Sequence, residues 1–381
     1  MRFADIPTHA SIKKQIHYSI QHNQVPHAQL FWGPAGSAQL SVALAFATYL
    51  HCENRLVDDA CGQCASCLKM HNLVHPDVKF VFPISATKQI PGKEVGSNSY
   101  LKAWRTFVKE QPYGLLRDWS YQIGSEQKQL TIPKEEARQI IQYVNIKPLA
   151  GAYKIILIWL PEYFHPYAAN ALLKVLEEPA PRTIFLLVSM DPEKLLNTIR
   201  SRTQQIYVPA FTDAALTQLL TAHYPLQQEK IAQVVPLANG NWQQALKLIA
   251  DGQEDVFELF VAWMRLCYAN HFTKLVAQAD LFQQLGKEGQ RYFLSYALYM
   301  CREALVIAFN QPNQPSLSRA TAVEQDFVAK LRKNLSDQQI KNFSEWLNQA
   351  YYYIERNINP KILWLNLSLK IAQAFQKPAQ K

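Results

Sequence analysis

No run of apolar residues in this 381-residue chain is long enough to cross a membrane. The longest strongly apolar stretch, Ile155 to Leu160, is far short of the roughly 18 to 20 residues a span requires. No charged-then-apolar leader opens the sequence, so a cytoplasmic protein with no membrane partner is expected. Internal repeats and low-complexity tracts are missing too, which argues against a solenoid or a linker-like chain. Basic residues are not gathered into a block. The net charge of +9 and pI of about 9.1 permit contact with nucleic acid or an acidic partner without specifying one. Apolar residues make up 49% of the chain, which argues against disorder, and the length accommodates two or three domains.

The most telling absence is a lysine. Gly33-Pro34-Ala35-Gly36-Ser37-Ala38-Gln39-Leu40 follows the strand-like run Leu30-Phe31-Trp32, as a phosphate-binding loop would. A working loop of this kind needs a second glycine for close backbone approach, a lysine for the β- and γ-phosphates and a hydroxyl for Mg²⁺. Those places hold Ala38, Gln39 and Leu40. A methyl, a neutral amide and an isobutyl group cannot hold a triphosphate and its metal. Gly33, Gly36, Gln39 and Leu40 therefore mark a degenerate loop, and no ATP is expected in it.

Strand-length apolar runs recur through the first half at Leu30–Trp32, Val78–Phe82, Ile155–Trp159, Ile184–Val188 and Ile206–Val208. Continuous apolar runs suit strands buried on both faces, and helix-like stretches between them imply a parallel sheet flanked by helices. A cysteine-rich segment interrupts the helical stretch after the loop. A second segment, about Ser85 to Gln129, carries Pro91, Gly92, Gly96, Pro112 and Gly114 around a helix near Tyr100–Glu110 and reads as an insertion of no assigned role. After Pro209 helical spacing dominates. Leu347, Ala350, Tyr351 and Ile354 fall on one helix face, as do Ile362, Leu365 and Leu369, which predicts an all-helical C-terminal region.

Cys52, Cys61, Cys64 and Cys67 form C-x8-C-x2-C-x2-C. Four thiols so close together in a chain read as cytoplasmic point to a closed structural zinc site. The competing ligand set replaces Cys52 with His71 or His75. Cys267 and Cys301 lie in helical stretches and read as core residues.

A second set of groups is also gone. The run Lys154–Ile158 should end, in a nucleotide hydrolase of this layout, in acids that bind Mg²⁺ and polarise water. Instead Trp159 and Leu160 stand there, followed by Glu162, whose plainest reading is a surface or salt-bridged carboxylate. One reactive cation remains, in Thr198-Ile199-Arg200-Ser201-Arg202-Thr203. A guanidinium offers fixed donors and a permanent charge, suited to a neighbouring subunit's γ-phosphate. Taken alone, an arginine near a helix end is more simply structural.

Four stretches supply a context. They are Pro26–Phe31, the cysteine module, His75-Pro76-Asp77, and the run Ala168-Ala169-Asn170-Ala171-Leu172-Leu173-Lys174-Val175-Leu176-Glu177-Glu178-Pro179. Together these resemble the delta-prime subunits of the bacterial DNA polymerase III clamp loader, a family of AAA+ proteins. Ser201-Arg202-Thr203 stands for that family's Ser-Arg-Cys motif, with threonine for cysteine, and Gln243 takes the place of its sensing arginine. The likeness runs well from Ile6 to Asn241 and is diffuse beyond, although Asn357-Ile358-Asn359-Pro360-Lys361 is similar to the end of the helical collar.

The resemblance implies an AAA+ α/β module at 1–209 with a zinc-bearing insert at about 52–75 and the extra insertion at about 85–129. A helical lid at 210–252 and an all-α collar at 253–381 would follow. It implies a subunit without intrinsic ATPase activity that assembles with gamma/tau and delta subunits. The ring they form would open the sliding clamp, mainly through other subunits, and load it on primer-template DNA. Arg202 would act in trans on a neighbour's ATP. Two rival readings are a self-sufficient ATPase of gamma/tau type and a zinc-dependent nucleic-acid binder. The absent lysine argues against the first; the closed metal site, with no basic cluster beside it, argues against the second.

Overall fold

The structure is a computed structural model that describes residues 1–87, 90, 96–126, 128–225, 228–251, 256–307, 317–356 and 358–376. Of the positions read above, Pro91, Gly92 and Asn357 lie outside the described residues. The chain forms two compact units, one of Met1–His223 with Gly240–Gln243 and one of Tyr224–Asn239 with Gln244–Lys381.

The first unit is built on five strands: β1 (Ala28–Trp32), β2 (Val78–Val81), β3 (Lys154–Trp159), β4 (Thr183–Ser189) and β5 (Gln204–Tyr207). All pair in parallel, in the order β2-β3-β4-β1-β5. β5 overlaps the run Ile206–Val208 only at Ile206 and Tyr207 and is mostly exposed, whereas the other strands fall on runs named above, with β2, β3 and β4 buried along their whole length. Such strands need no polar alternation. Helices of this unit are α1 (Ala10–Gln21), α2 (Gln39–His51), α3 (Ala65–His71), α4 (Leu101–Glu110), α5 (Leu116–Gln122), α6 (Lys134–Val144), α7 (Pro166–Glu177), the single turn α8 (Asn197–Arg200) and α9 (Asp213–His223). The helix that leaves the loop, α2, ends at His51, where the cysteine segment begins.

Local signals set the ends of these helices. Pro166 opens α7, where its missing N–H costs nothing, and the His165 ring accepts the Tyr167 N–H at 3.3 Å. Glu135 and Glu136 sit in the first turn of α6, where the helix dipole favours them. One core lies between the sheet and the helices α6 and α7, around Leu30, Ile140, Ile156, Ile158, Leu172, Phe185 and Leu187.

The second unit is helical throughout among the described residues, with α10 (Gln228–Ala238), most of α11 (Trp242–Asp251), α12 (Val256–Tyr268), α13 (Phe272–Gln284), α14 (Gly286–Val306), α15 (Ala322–Arg332), α16 (Asp337–Glu355) and α17 (Pro360–Gln376). Thr321 with Glu324, and Ser336 with Gln339, form reciprocal caps at the starts of α15 and α16. Trp364 stacks on Trp263 and Phe282 at 4.6 and 4.4 Å, and the Trp263 indole N–H donates to Ser368 at 2.8 Å.

The predicted face of α16 holds, with Leu347, Ala350 and Ile354 buried and Tyr351 half-buried. That of α17 does not. Ile362 and Leu369 are exposed, whereas Trp364, Leu367 and Ile371 are buried. This helix is apolar on more than one side, and the indole, with the most area to hide, decides which side turns inward. No helix among the described residues is long and apolar enough to cross a membrane.

Candidate nucleotide cleft, metal cluster and arginine

β1 delivers the loop Gly33–Ala38 to its C-terminal end, between β4 and β5, where open parallel sheets place their ligand crevices. Gly33 is required there, since a Cβ would come within 1.9 Å of the Val208 carbonyl oxygen. Gly36 has φ of +74° and faces Asn241, whose Oδ1 lies 2.0 Å from where a Cβ would be. Two side chains of this segment turn back on its own backbone. Gln39 Nε2 and Ser37 Oγ both donate to the Pro34 carbonyl, at 2.7 and 2.8 Å. Ala38, Gln39 and Leu40 are all buried, so none of the three reaches outward from the mouth of the loop.

At the end of β3, Trp159 is fully buried among aromatic rings, 5.2 Å from Trp104 and 5.6 Å from Phe107. Leu160 is buried with φ of +56°, a backbone conformation unusual for leucine. Glu162 departs from the surface or salt-bridged reading. One carboxylate oxygen accepts the N–H groups of Met190 and Asp191 at 3.1 and 3.3 Å, and burial pushes its pKa up. It ties the turn after β3 to the end of β4. Gln243 lies half-buried in the first turn of α11, after Gly240.

The four cysteines Cys52, Cys61, Cys64 and Cys67 converge so that their sulfurs lie within 4.8 Å of one another. A tetrahedral site with metal–sulfur bonds of ~2.3 Å separates its sulfurs by ~3.8 Å. Cys61 and Cys67 are 3.9 Å apart, so the cluster fits such an ion with little adjustment. Backbone donors serve the sulfurs: Cys61 N–H to Cys52, Cys64 N–H to Cys61 and Cys67 N–H to Cys64, at 3.2, 3.3 and 3.4 Å. The N–H groups of Gln63 and Cys64 bring the Cys61 thiol down to about 6, whereas burial pushes those of Cys52 and Cys67 up. Neither histidine joins the cluster. His75 is buried and stacked on His51 at 4.0 Å, with Nδ1 accepting the Asp77 N–H.

Arg202 follows α8 and folds back toward α7. Its Nε donates to Glu177 at 2.5 Å and Nη1 to the Thr198 carbonyl at 2.8 Å, with the side chain 31% exposed. Arg200 turns elsewhere and pairs with Glu193 at 3.0 Å. Sequence reasoning did not find the Glu177 partner. The signal available was only that Glu177 belongs to the run shared with the clamp-loader family.

The family profile described as "DNA polymerase III, delta subunit" matches residues 8–212, more than half of the chain. The chain belongs to this DNA polymerase III family. Among its relatives, DNA polymerase III subunit delta' of Pseudomonas aeruginosa is 28% identical over 251 residues, covering 65% of this chain and 63% of the relative. DNA polymerase III subunit delta' of Escherichia coli is 24% identical over 230 residues, covering 60% and 56%. The tau/gamma subunit of Haemophilus influenzae is 25% identical over 251 residues, covering 65% and 30%. The match thus spans less than two thirds of each of these relatives. A Thermotoga maritima protein related to the gamma subunit overlaps 96% of this chain at 16% identity, with a TM-score of 0.34 that carries no weight. Both branches of the family match to a similar degree, so identity alone does not assign the chain to one of them.

Proposed function

We propose that the chain is a delta-prime-type subunit of the DNA polymerase III clamp loader, silent toward ATP, that lends Arg202 to the ATP of a neighbouring gamma/tau-type subunit. The observation that carries this reading is the state of the loop: Gln39 is turned onto the Pro34 carbonyl and Leu40 into the core. A gamma/tau-type ATPase needs a lysine and a hydroxyl at those positions. Trp159 and Leu160, in place of acids, support the same reading. Arg202 by contrast is partly exposed and held by a surface ion pair, a contact worth only about 0–1 kcal/mol. Its release toward a partner's phosphate would cost little.

In this reading the chain divides at about 209 and 252 into AAA+ module, lid and collar. Its partners are gamma/tau and delta subunits, with primer-template DNA and the sliding clamp met through the assembled ring. Zinc would be held by Cys52, Cys61, Cys64 and Cys67, where four thiolates close a loop structurally and leave no open coordination position. Co-expression with delta and gamma/tau subunits tests the assignment. Co-purification of one ring containing this chain is expected. An isolated chain that turns over ATP would instead favour the gamma/tau reading.

A further inference from the structure

The segment from Ser85 to Gln129 is closed at its base. Ile84 and Thr131 exchange two backbone hydrogen bonds, both 2.9 Å, and Ser85 and Ser125 meet at 2.5 Å. Among the described residues of this segment, Trp104 and Trp119 lie at the C-terminal ends of β2 and β3, against Phe82, Pro83 and Trp159. Gly114 turns the segment tightly, since a Cβ there would meet the Phe107 ring at 2.6 Å.

Two parts of this segment reach the cleft. Trp104 and Phe107 pack on Trp159, Trp119 packs on Trp104 at 5.5 Å, and the Trp119 indole N–H is anchored on the Pro83 carbonyl at 2.7 Å. Their rings cover the side chain that stands where a metal-binding acid would be. On the loop side, the Pro112 carbonyl accepts the Ser41 hydroxyl at 3.1 Å, one residue beyond Leu40 on α2. The Tyr113 ring is buried 4.9 Å from Phe211 and 5.8 Å from Trp242. The Trp242 N–H is itself bonded to the Gly36 carbonyl at 3.0 Å. Tyr113 therefore sits between the start of the loop helix and the start of α11, which carries Gln243.

We propose that this insertion is an internal plug: Pro112 and Tyr113 occupy the place of a nucleotide beside the loop, and Trp104, Phe107 and Trp119 the place of its metal. The plug does what a bound nucleotide does for a working subunit, filling the space between sheet, loop and the Gly240–Gln243 segment. Loss of the loop lysine and the strand acids then leaves no hole. The plug rests on the reading of the loop and the end of β3 as a degenerate nucleotide site.

Amide hydrogen exchange on the intact chain tests it. The amides of α4 and α5 should exchange as slowly as those of β3; exchange at the rate of surface loops would overturn the plug. In Tyr113→Ala, exchange should rise at least tenfold across residues 33–44 while β2 and α3 stay unchanged. A rise confined to the insertion would overturn the claim. Should that variant fail to fold, the triple variant Ala38→Gly, Gln39→Lys, Leu40→Thr gives a separate reading by fluorescent ATP-analogue binding with Mg²⁺. With the plug in place it should remain blind to nucleotide into the millimolar range, and micromolar binding would show the cleft to be open.

Discussion

Gln39 and Pro34 close the loop on itself: the side-chain amide donates at 2.7 Å to a carbonyl five residues earlier. In a working loop the residue at this position reaches a phosphate; here it reaches the backbone. Isothermal titration of the purified chain with ATP and Mg²⁺ should therefore show no heat of binding. A dissociation constant in the micromolar range would contradict the silent reading.

On the proposed reading, no single change at Trp159 would bring metal binding to the end of β3. Trp159→Asp would put an unpaired carboxylate among the rings of Trp104 and Phe107 and remove a large buried side chain. Truncation alone costs about 3–5 kcal/mol, and the buried charge adds to it. The melting transition should fall by roughly 10 °C or more with no gain of Mg²⁺ or ATP binding.

The cysteine cluster should hold one zinc per chain. X-ray absorption is expected to show about four sulfur neighbours near ~2.3 Å. A nitrogen neighbour would mean that His71 or His75 replaces a cysteine. Removing the ion with a chelator should raise hydrogen exchange around residues 52–75 and leave the sheet protected, because the hydrophobic core around Ile156 and Phe185 lies elsewhere.

Asp77 gives the fold an acid-sensitive joint. Its carboxylate accepts the N–H groups of Leu149, Ala150 and Gly151 at 2.6, 2.7 and 2.7 Å. Burial alone would raise its pKa, but these donors outweigh burial and hold it below the usual carboxylate range. A depressed folded value contributes stability above the unfolded pKa of ~3.9, lost as pH falls through the folded value. Asp77→Asn should cost about 1–3 kcal/mol at neutral pH and flatten that part of the acid-unfolding profile. An unchanged profile in chemical denaturation would show that the three bonds contribute nothing.

Much of this architecture could be read from the residues. Strands β2, β3 and β4 were legible because runs such as Ile155–Trp159 are buried on both faces, and the cysteines because their spacing is local. What escaped depended on distant partners. Trp104 lies 55 positions from Trp159, so nothing near either residue announces that the insertion packs into the cleft. Glu162 looked like a surface acid because its donors, Met190 and Asp191, belong to another strand end. α17 presents apolar residues on several sides, and periodicity cannot choose among them.

The central claim is that Arg202 serves a neighbour's ATP while its own subunit binds none. The most direct measurement is DNA-stimulated ATP hydrolysis by the reconstituted ring carrying Arg202→Ala, with every ATP site but the adjacent one disabled. Arginine fingers are worth ~10³ to 10⁵ in rate at their own site, so a loss of that order is predicted, with ring assembly intact. Arg202→Lys should restore little, because a point charge lacks the planar fork, and Arg200→Ala should be milder, since Arg200 faces Glu193. Unchanged hydrolysis at that site, with a melting temperature lowered by several degrees, would contradict the account and make Arg202 a structural partner of Glu177.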